Sequence, residues 1–428
     1  MNGDQNQSHG HPSGLNPHTE QRQCHHRISS FTFSLSPDEG QQFSGGVCLR
    51  RERTVKYNIN CLAIYDLDPV ELEKSLIIRQ KQTVEDTDES LFELTSNCPK
   101  FIKGRGYDDV CVTEEERDFP LAYSLVVNKY AWMVERLIRV IFSPANIYCI
   151  HYDEKSAAQF KSAIEGLVSC LPNVFIASKR EVVYYAHITR LKADLNCLSD
   201  LLRSDINWKY VINLCGQDFP LRTNIELVSE LKKLNRANML ETTRPTKIKK
   251  KRFTFHHELS DHNFEYKKTP KATNQTKAPP PNGIEIFVGN AYFVLSRQFI
   301  IHISSSTVVK EFLEWSEDTF SPDEHFWATL VRFPGAPGGI PRSHPDITAQ
   351  MSKTRLVKWK YQENKLYPSC TGIHRRSICI FGAAELHWLL NYGHWFANKF
   401  DPKVDPVAIQ CLEEKLMERQ LIFDGCQT

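Results

Sequence analysis

The chain has 428 residues, of which 41% are hydrophobic, and its formal net charge is +2. This length suits either one large domain with an extension or two domains, and the composition is sufficient for a packed core. Because positive and negative charges nearly balance, apart from one basic run (TKIKKKR, 246–252), the sequence argues against nucleic acid as a partner.

The first 56 residues are polar and rich in His, Gln and Asn, which predicts a disordered leader. The leader has no signal-peptide core, and no stretch of the chain is apolar enough to span a bilayer. Residues 57–120 mix short patterns with acidic clusters and are predicted to form a stem or N-terminal extension. Two Asp-x-Asp triplets precede the first predicted strand, DLD at 66–68 and DTD at 86–88, and are interpreted as surface acid clusters.

Apolar runs and helical periodicity alternate from residue 121 onward. Strands are predicted at 121–127, 146–153 and 173–178, and residues 208–221 are predicted to form a fourth strand with its exit loop, with helices between the strands. This alternation predicts an α/β fold with a largely parallel sheet. Ligands bind such sheets at the carboxyl ends of the strands, which places Asp153 and the CGQDFP loop near a site. The chain has no GxGxxG or Walker motif, so neither dinucleotide nor P-loop nucleotide binding is supported.

The segment SPDEHFWATL (321–330) carries adjacent acids, Asp323 and Glu324, between a Ser-Pro turn and a predicted helix. Acids in a first helical turn commonly complement the helix dipole, and the decapeptide alone favours that interpretation. The alternative is a carboxylate held in a cleft to remove a proton.

The 13 cysteines form no CxxC pair and no zinc-finger spacing. They fit buried thiols in a cytosolic enzyme, or disulfides with an odd thiol in a secretory-pathway enzyme. The sequons at Asn274 and Asn6 fit the second compartment, and Asn274 is predicted to lie in a surface loop.

Several blocks of the sequence occur in a recognisable order and spacing: AYSLVV, NIYCIHYD, NVFIASKREVVYYAHITRLKADLNCLSDLL, WKYVINLCGQDFPL, FVGNAYFVLSR, SPDEHFWATL, RLVKWKY, CTGIHRRSICIFGAAEL and HWFANKFD. Together they resemble the core 2 β1,6-N-acetylglucosaminyltransferase family (glycosyltransferase family 14), most of all its type 3 branch. The resemblance extends over nearly everything beyond the leader.

The resemblance implies a GT-A glycosyltransferase fold, with a Rossmann-like, mostly parallel sheet in a catalytic domain of residues 121–428. It implies an inverting transfer of N-acetylglucosamine from UDP-GlcNAc, in β1,6 linkage, to the GalNAc of Gal-β1,3-GalNAc on Ser or Thr. The implied partners are therefore UDP-GlcNAc and mucin-type O-glycans on glycoproteins, with no nucleic acid, and the resemblance is compatible with a homodimer. No cofactor and no divalent metal are implied.

Such a transfer needs a base for the attacking hydroxyl and an electrophile for the leaving diphosphate. By the resemblance Glu324 is the base, which overturns the preference for a helix cap, although Asp323 can still fill that role. Arg376 and Lys399 take the place of a metal, since a guanidinium binds phosphate in a bidentate manner and a lysine adds a point charge.

The resemblance also implies the residues that bind the two substrates. The uridine site would be lined by Val126, Asp153 and Tyr185. The acceptor site would be formed by Glu241, Lys249, Arg252, Trp359 and Tyr361. Lys247 or Lys250 could replace Lys249, and the two aromatic residues could instead belong to a core strand in RLVKWKY.

Four disulfides are implied, with Cys215 as a free thiol: Cys61–Cys411, Cys98–Cys170, Cys149–Cys197 and Cys370–Cys379. The resemblance assigns no partner to four other cysteines: Cys24, Cys48, Cys111 and Cys426. Members of the family are type II Golgi membrane proteins. Since this chain shows no apolar span, we expect the polypeptide as written not to enter the secretory pathway.

Rival functions remain at this point. The same scaffold could transfer GlcNAc to poly-N-acetyllactosamine (I-branching) or, more distantly, xylose to protein. The chain could be a catalytically silent homologue that binds glycans. A glycoside hydrolase would need a second acid at a set distance from Glu324.

Overall fold

The computed structural model describes residues 56–81, 86–261 and 268–423, so the predicted leader lies outside the described residues. The described helices are α1 (Cys61–Tyr65), α2 (Pro69–Gln80), α3 (Asp88–Thr95), α4 (Cys98–Arg105), α5 (Glu114–Asp118), α6 (Ala131–Ile141), α7 (Ala158–Cys170), α8 (Ile188–Arg203), α9 (Asn224–Lys232), α10 (Lys247–Thr254), α11 (Arg297–Ser305), α12 (Thr307–Trp315), α13 (Asp323–Leu330), α14 (Leu386–Leu389) and α15 (Pro406–Phe423). The described strands are β1 (Leu121–Val127), β2 (Ile147–Tyr152), β3 (Val174–Ile176), β4 (Tyr210–Cys215), β5 (Asp218–Pro220), β6 (Met239–Leu240), β7 (Phe255–Ser260), β8 (Thr269–Thr276), β9 (Phe293–Ser296), β10 (Leu356–Val357), β11 (Ile373–Arg375), β12 (Ile378–Ile380) and β13 (Phe396–Asn398).

The central sheet has six strands in the order β3-β2-β1-β4-β9-β6. Strands β1 to β4 are parallel, whereas β9 runs antiparallel to both β4 and β6. Every residue of β1 and β2 is buried, as expected for parallel strands covered on both faces. The predicted α/β architecture with a mostly parallel sheet is confirmed.

Helices cover both faces of the sheet because alternate residues of β1 point in opposite directions. Tyr123 and Leu125 belong to one core with α6 and α7. Ala122 belongs to a second core with α8, α11 and α13, to which Phe326 and Trp327 contribute. The sheet is thus the middle layer of three, and its carboxyl edge is left open for a site.

A third core joins the two ends of the described chain. Cys61 and Ile64 of α1 pack in one cluster with Val407 and Leu412 of α15. Residues 57–120, predicted as a stem or extension, therefore include helices that share a core with the C-terminal helix. None of the helices within the described ranges has the length and apolar character needed to cross a membrane.

Three of the four disulfides implied by the resemblance are formed: Cys61–Cys411, Cys98–Cys170 and Cys370–Cys379. The fourth, Cys149–Cys197, is not. These cysteines are buried free thiols in contact, and the Cys197 Sγ donates to the Cys149 carbonyl oxygen at 3.5 Å. Burial and the neighbouring thiol raise the pKa of Cys149, which disfavours the thiolate that disulfide formation requires.

The Asn274 sequon is exposed, as predicted, but it lies in strand β8 rather than in a loop. Strand β8 pairs only with β7, in an antiparallel hairpin apart from the central sheet. A strand forms here despite the polar sequence because the backbone groups of the two segments satisfy each other. The Asn6 sequon and three of the unassigned cysteines, Cys24, Cys48 and Cys426, lie outside the described residues.

We expect the Cys61–Cys411 bridge to stabilise the fold more than the Cys370–Cys379 bridge, because the first spans 350 residues and the second nine. Replacing Cys61 and Cys411 by Ser should lower the free energy of unfolding by about 6 kcal/mol in the chain-entropy model. The matched double replacement of Cys370 and Cys379 should cost about 2–3 kcal/mol. Urea unfolding measures both, and equal losses would contradict the loop-length argument.

Candidate active site

Two of the three residues predicted to line a uridine pocket, Val126 and Asp153, lie at the carboxyl ends of adjacent strands, while Tyr185 lies in the loop between β3 and α8. Val126 of β1 is buried and lies in register with Cys215 of β4. Asp153 follows β2, and its carboxylate accepts hydrogen bonds from the Val183 N–H at 3.2 Å and the Lys155 ammonium at 2.8 Å. The sheet therefore brings Val126 and Asp153 to the edge where the alternating pattern predicted a site.

Four cations gather beside these strand ends: Lys129, Arg375, Arg376 and Lys399, here called the basic cluster. Burial lowers the pKa of Lys399, and the charges of Arg376 and Arg375 lower it further. Burial likewise lowers the pKa of Lys129, again with contributions from Arg375 and Arg376. Arg375 has a carboxylate partner, Asp401, at 3.3 Å. Positive charge concentrated in this way suits a polyanion such as a diphosphate.

Arg376 occupies an unusual turn. Strands β11 and β12 pair Arg375 with Ile378, so that Arg376 and Ser377 form a two-residue hairpin turn. Both turn residues are left-handed, with φ of 52° and 62°, as in a type I′ turn, where Asn and Gly are preferred. Non-glycine residues there cost of order 1 kcal/mol or more. The turn holds the Arg376 guanidinium 5.4 Å from the centre of the Tyr185 ring.

The buried carboxylate of Asp218, which the sequence analysis did not single out, holds part of the backbone that carries the basic cluster. Asp218 is fully buried and accepts hydrogen bonds from the Cys215 N–H at 2.7 Å and the Asn398 amide at 2.8 Å. Buried Arg355 lies 3.3 Å from its second oxygen. Since Asn398 directly precedes Lys399, Asp218 fixes the backbone that carries this lysine. Its position inside the CGQDFP block was the available signal.

The second half of the candidate site is built around Glu324. Its side chain is one-third exposed (33%) and forms a hydrogen-bonded ion pair with Arg252. Its carbonyl oxygen accepts a hydrogen bond from the Gly289 N–H at 2.7 Å. A Cβ at Gly289 would lie 2.1 Å from the Glu241 carbonyl oxygen, so only glycine fits this contact. The glycine of the FVGN block therefore brings Glu241 and Glu324 close together.

Glu241 and Lys249 are neighbours of this acid. Burial raises the pKa of Glu241, the charge of Glu324 raises it further, and Lys249 lowers it. Lys249 is half-buried, while Lys247 and Lys250 are exposed. Of the three lysines that the sequence left open, Lys249 therefore has the geometry that fits the predicted site.

Trp359 and Tyr361 stack on each other with ring centres 6.1 Å apart. Tyr361 is 66% exposed, so the alternative of a core strand with inward aromatics is wrong for this residue. Its pKa is raised by burial and by the nearby Glu241 carboxylate. Trp359 also forms an isolated bridge to Ile378, which follows the turn carrying Arg376. The hairpin thus links the aromatic pair to the basic cluster.

The adjacent acid, Asp323, has a different environment. It is buried (8% exposed), and burial raises its pKa to about 7, although the neighbouring Arg190 opposes this shift. No side-chain hydrogen bond caps the N-terminus of α13, so neither acid serves as a cap. His325 is also buried, which lowers its pKa to about 3. Of these three residues Glu324 has the carboxylate that opens to solvent.

Aspartates of the two Asp-x-Asp triplets, at 66–68 and 86–88, make contacts at helix ends, apart from the residues of the candidate site. Asp68 caps α2 by accepting from the N–H groups of Val70 and Glu71. Asp88 accepts a hydrogen bond from the Ala131 N–H at 2.7 Å at the start of α6. Among the residues that the structure describes, the triplets thus serve helix ends.

Comparison with known proteins gives consistent matches. The family model of the Core-2/I-branching enzymes matches residues 121–390. Beta-1,3-galactosyl-O-glycosyl-glycoprotein beta-1,6-N-acetylglucosaminyltransferase 4 of Danio rerio is 63% identical over 85% of this chain and 85% of its own length. The Mus musculus protein of the same name is 58% identical over 85% of this chain and 80% of its own length.

The type 3 enzyme of Mus musculus is 42% identical over 86% of this chain and 84% of its own length. The sequence blocks had suggested the type 3 branch as the nearest relative. The higher identities replace that expectation, because the chain is more similar to the two type 4 enzymes than to this type 3 enzyme.

The buried acid Asp323 is expected to make stability fall with rising pH. Asp ionises near pH 4 when unfolded but near pH 7 here, so the folded protein holds an extra proton between these values. The resulting stability is present below pH 4 and lost as pH rises to 7. Relative to Asp323→Asn, which does not titrate, the wild type should lose about 3 kcal/mol between pH 5 and pH 8.

Urea unfolding at the two pH values measures this difference. The matched control is Asp205→Asn, which makes the same substitution at an exposed position and reports any pH-dependent effect of the substitution itself. A wild-type-minus-variant difference for Asp323 that is equal at both pH values would refute the assignment.

Proposed function

Because the chain belongs to the Core-2/I-branching enzyme family, we propose that it transfers N-acetylglucosamine from UDP-GlcNAc, in β1,6 linkage, to the GalNAc of Gal-β1,3-GalNAc on glycoproteins. One observation carries the proposal for the site. Glu324 presents a partly exposed carboxylate in contact with Arg252, and a separate basic cluster supplies several positive charges. A base and an electrophile are the two groups that an inverting transfer needs.

In the proposed reaction the 6-hydroxyl oxygen of GalNAc attacks the anomeric carbon of the donor sugar. Glu324 takes the hydroxyl proton while the new carbon–oxygen bond forms. The bond between the anomeric carbon and the diphosphate oxygen breaks on the opposite face, and its electron pair leaves with UDP. The configuration at the anomeric carbon inverts because the reaction is a single displacement.

Arg376 and Lys399 would stabilise the negative charge that develops on the leaving diphosphate. The half-buried position of Lys399 strengthens this effect, since water screens a partly buried charge less than an exposed one. Tyr185, beside Arg376, would face the uridine part of the donor, with Val126 and Asp153 on the other side. We propose that these cations serve in place of a divalent metal.

The acceptor would lie between Glu324 and the stacked aromatic pair. Tyr361 offers an exposed ring face to the apolar face of a galactose. Glu241, Lys249 and Arg252 supply acceptors and donors for sugar hydroxyls. The family also contains I-branching enzymes, so poly-N-acetyllactosamine is the second candidate acceptor. Parallel assays with the two acceptors distinguish these specificities.

The family implies Golgi residence on the membrane, and we propose this location for the protein in cells. Glycosylation of Asn274 would report entry into the secretory pathway, since this residue is exposed. A mobility shift that is removed by an N-glycosidase would support this location and would overturn the earlier expectation, drawn from the missing apolar span, that the polypeptide as written does not enter that pathway.

Glu324→Gln should reduce transfer to Gal-β1,3-GalNAc-aryl at least a hundredfold, because a carboxamide cannot accept the hydroxyl proton. The assay is run with excess EDTA, in which the wild type should keep its activity. Glu314→Gln, on the exposed side of α12, is the matched control and should transfer normally. Full activity of Glu324→Gln would refute the base, whereas loss of wild-type activity in EDTA would refute only the metal-free mechanism.

Arg376→Asn should separate function from stability at the hairpin turn. Asn suits the left-handed conformation better than Arg, so thermal unfolding should occur at the same or a higher temperature. Transfer should fall at least a hundredfold, since a diphosphate contact is removed. Ser377→Asn, in the same turn, is the control that should gain stability without this loss. Equal activity of both variants would remove Arg376 from the proposed mechanism.

A further inference from the structure

A second cavity lies at the opposite edge of the central sheet from the active site. It encloses about 590 Å³, within the usual size range of small-molecule sites. Lys209, which lines it, directly precedes β4, whose far end at Cys215 reaches the active site. A strand of six residues spans about 20 Å, so the two sites are separate.

Four cations line this cavity: Lys209, Lys232, Arg236 and Arg297. Lys232 forms an ion pair with Glu115 at 2.7 Å. In the ranges that the structure covers, the side chains of the other three have no carboxylate within ion-pair distance. The lining contains no acidic residue. The cavity thus holds an excess of positive charge that a bound anion would offset.

Arg297 gives the most specific indication of a ligand. Its Nε is buried and has no hydrogen-bond partner, although buried donors are normally satisfied. The backbone N–H of Arg297 donates to the backbone carbonyl oxygen of Lys209 at 3.0 Å, so these two half-buried residues are neighbours across adjacent segments. Arg297 also begins α11, where the helix dipole favours an anion. The Arg297 guanidinium lies 5.7 Å from the centre of the Trp208 ring and keeps an unpaired Nε donor, and an oxyanion could accept from this donor and from the Lys209 ammonium.

The remaining lining fits a sugar ring rather than a bare anion. Half-buried Phe119 forms an apolar wall of the cavity, and the ring of buried Tyr210 packs behind it at 6.0 Å. Asn207, Asn235 and Gln298 add exposed amides that can donate to and accept from hydroxyl groups. The cations can bind an acidic group, the aromatic side chains can pack against a ring, and the amides can bind hydroxyl groups. An acidic saccharide has all three of these features.

We propose that this cavity binds an acidic sugar, one that carries a sulfate or a carboxylate, at a site distinct from the active site. The oxyanion lies between Lys209 and Arg297, and the ring packs against Phe119, which Tyr210 supports from the core. Arg236 contributes from the exposed rim. Such a site would hold an acidic part of a glycan remote from the position where transfer takes place.

The test is a ligand-observed NMR titration of the purified full chain with galactose 6-sulfate, N-acetylneuraminic acid and neutral galactose. At least one acidic sugar should bind saturably, and galactose at least tenfold more weakly. Lys209→Gln/Arg297→Gln should weaken acidic-sugar binding at least tenfold. Lys233→Gln, which removes a neighbouring lysine that pairs with Glu230 outside the cavity, should bind like the wild type.

Two further variants distinguish loss of this binding site from misfolding and from binding at the active site. Arg376→Asn should retain acidic-sugar binding, since it alters only the basic cluster of the active site. Arg236→Gln, at an exposed position, should weaken binding at least threefold even if the half-buried double variant Lys209→Gln/Arg297→Gln fails to fold. Comparison of the two acidic sugars identifies the preferred oxyanion. Equal binding of galactose and both acids, or loss of binding in Arg376→Asn alone, would overturn the proposal.

Discussion

The buried carboxylate of Asp218 is the constraint on which the basic side of the site depends. A carboxylate without water must be paired and hydrogen-bonded, and here its partners come from three separate parts of the chain. Satisfying Asp218 therefore joins the end of β4, the segment before β10 and strand β13. Removal of one partner from such a group typically costs about 3–5 kcal/mol. Because Lys399 directly follows Asn398, whose amide donates to Asp218, the same hydrogen bond also fixes the backbone position of Lys399.

The two acids of α13 show how one short helix serves stability and chemistry together. Successive residues on a helix point about 100° apart, so Asp323 and Glu324 cannot share an environment. The first faces the interior near Arg190, while the second is one-third exposed and pairs with Arg252. The hairpin β11–β12 then couples this half of the site to the other, since it contacts Trp359 and presents Arg376.

The sequence predicted the sheet well because the strands of residues 121–215 are continuous apolar runs, a pattern set by burial on both faces. It did not reveal the Asp218–Arg355 pair, since two residues far apart in the chain carry no local signal of their contact. The turn at Arg376 was hidden for another reason: Arg-Ser lacks the Asn or Gly that marks a type I′ turn. For Cys149 and Cys197 the contact followed from the resemblance, but the redox state depends on burial.

The bridge between Cys61 and Cys411 makes most of the protein a covalent ring. A single break of the backbone anywhere between these residues would open the ring without dividing the molecule. Both pieces would stay attached through sulfur and through the core that α1 and α15 share. Digestion in the exposed strand β8 would thus leave one particle, heavier by a single water molecule, under oxidising conditions. Two fragments would separate only when a reductant breaks the bridge and a denaturant opens the shared core.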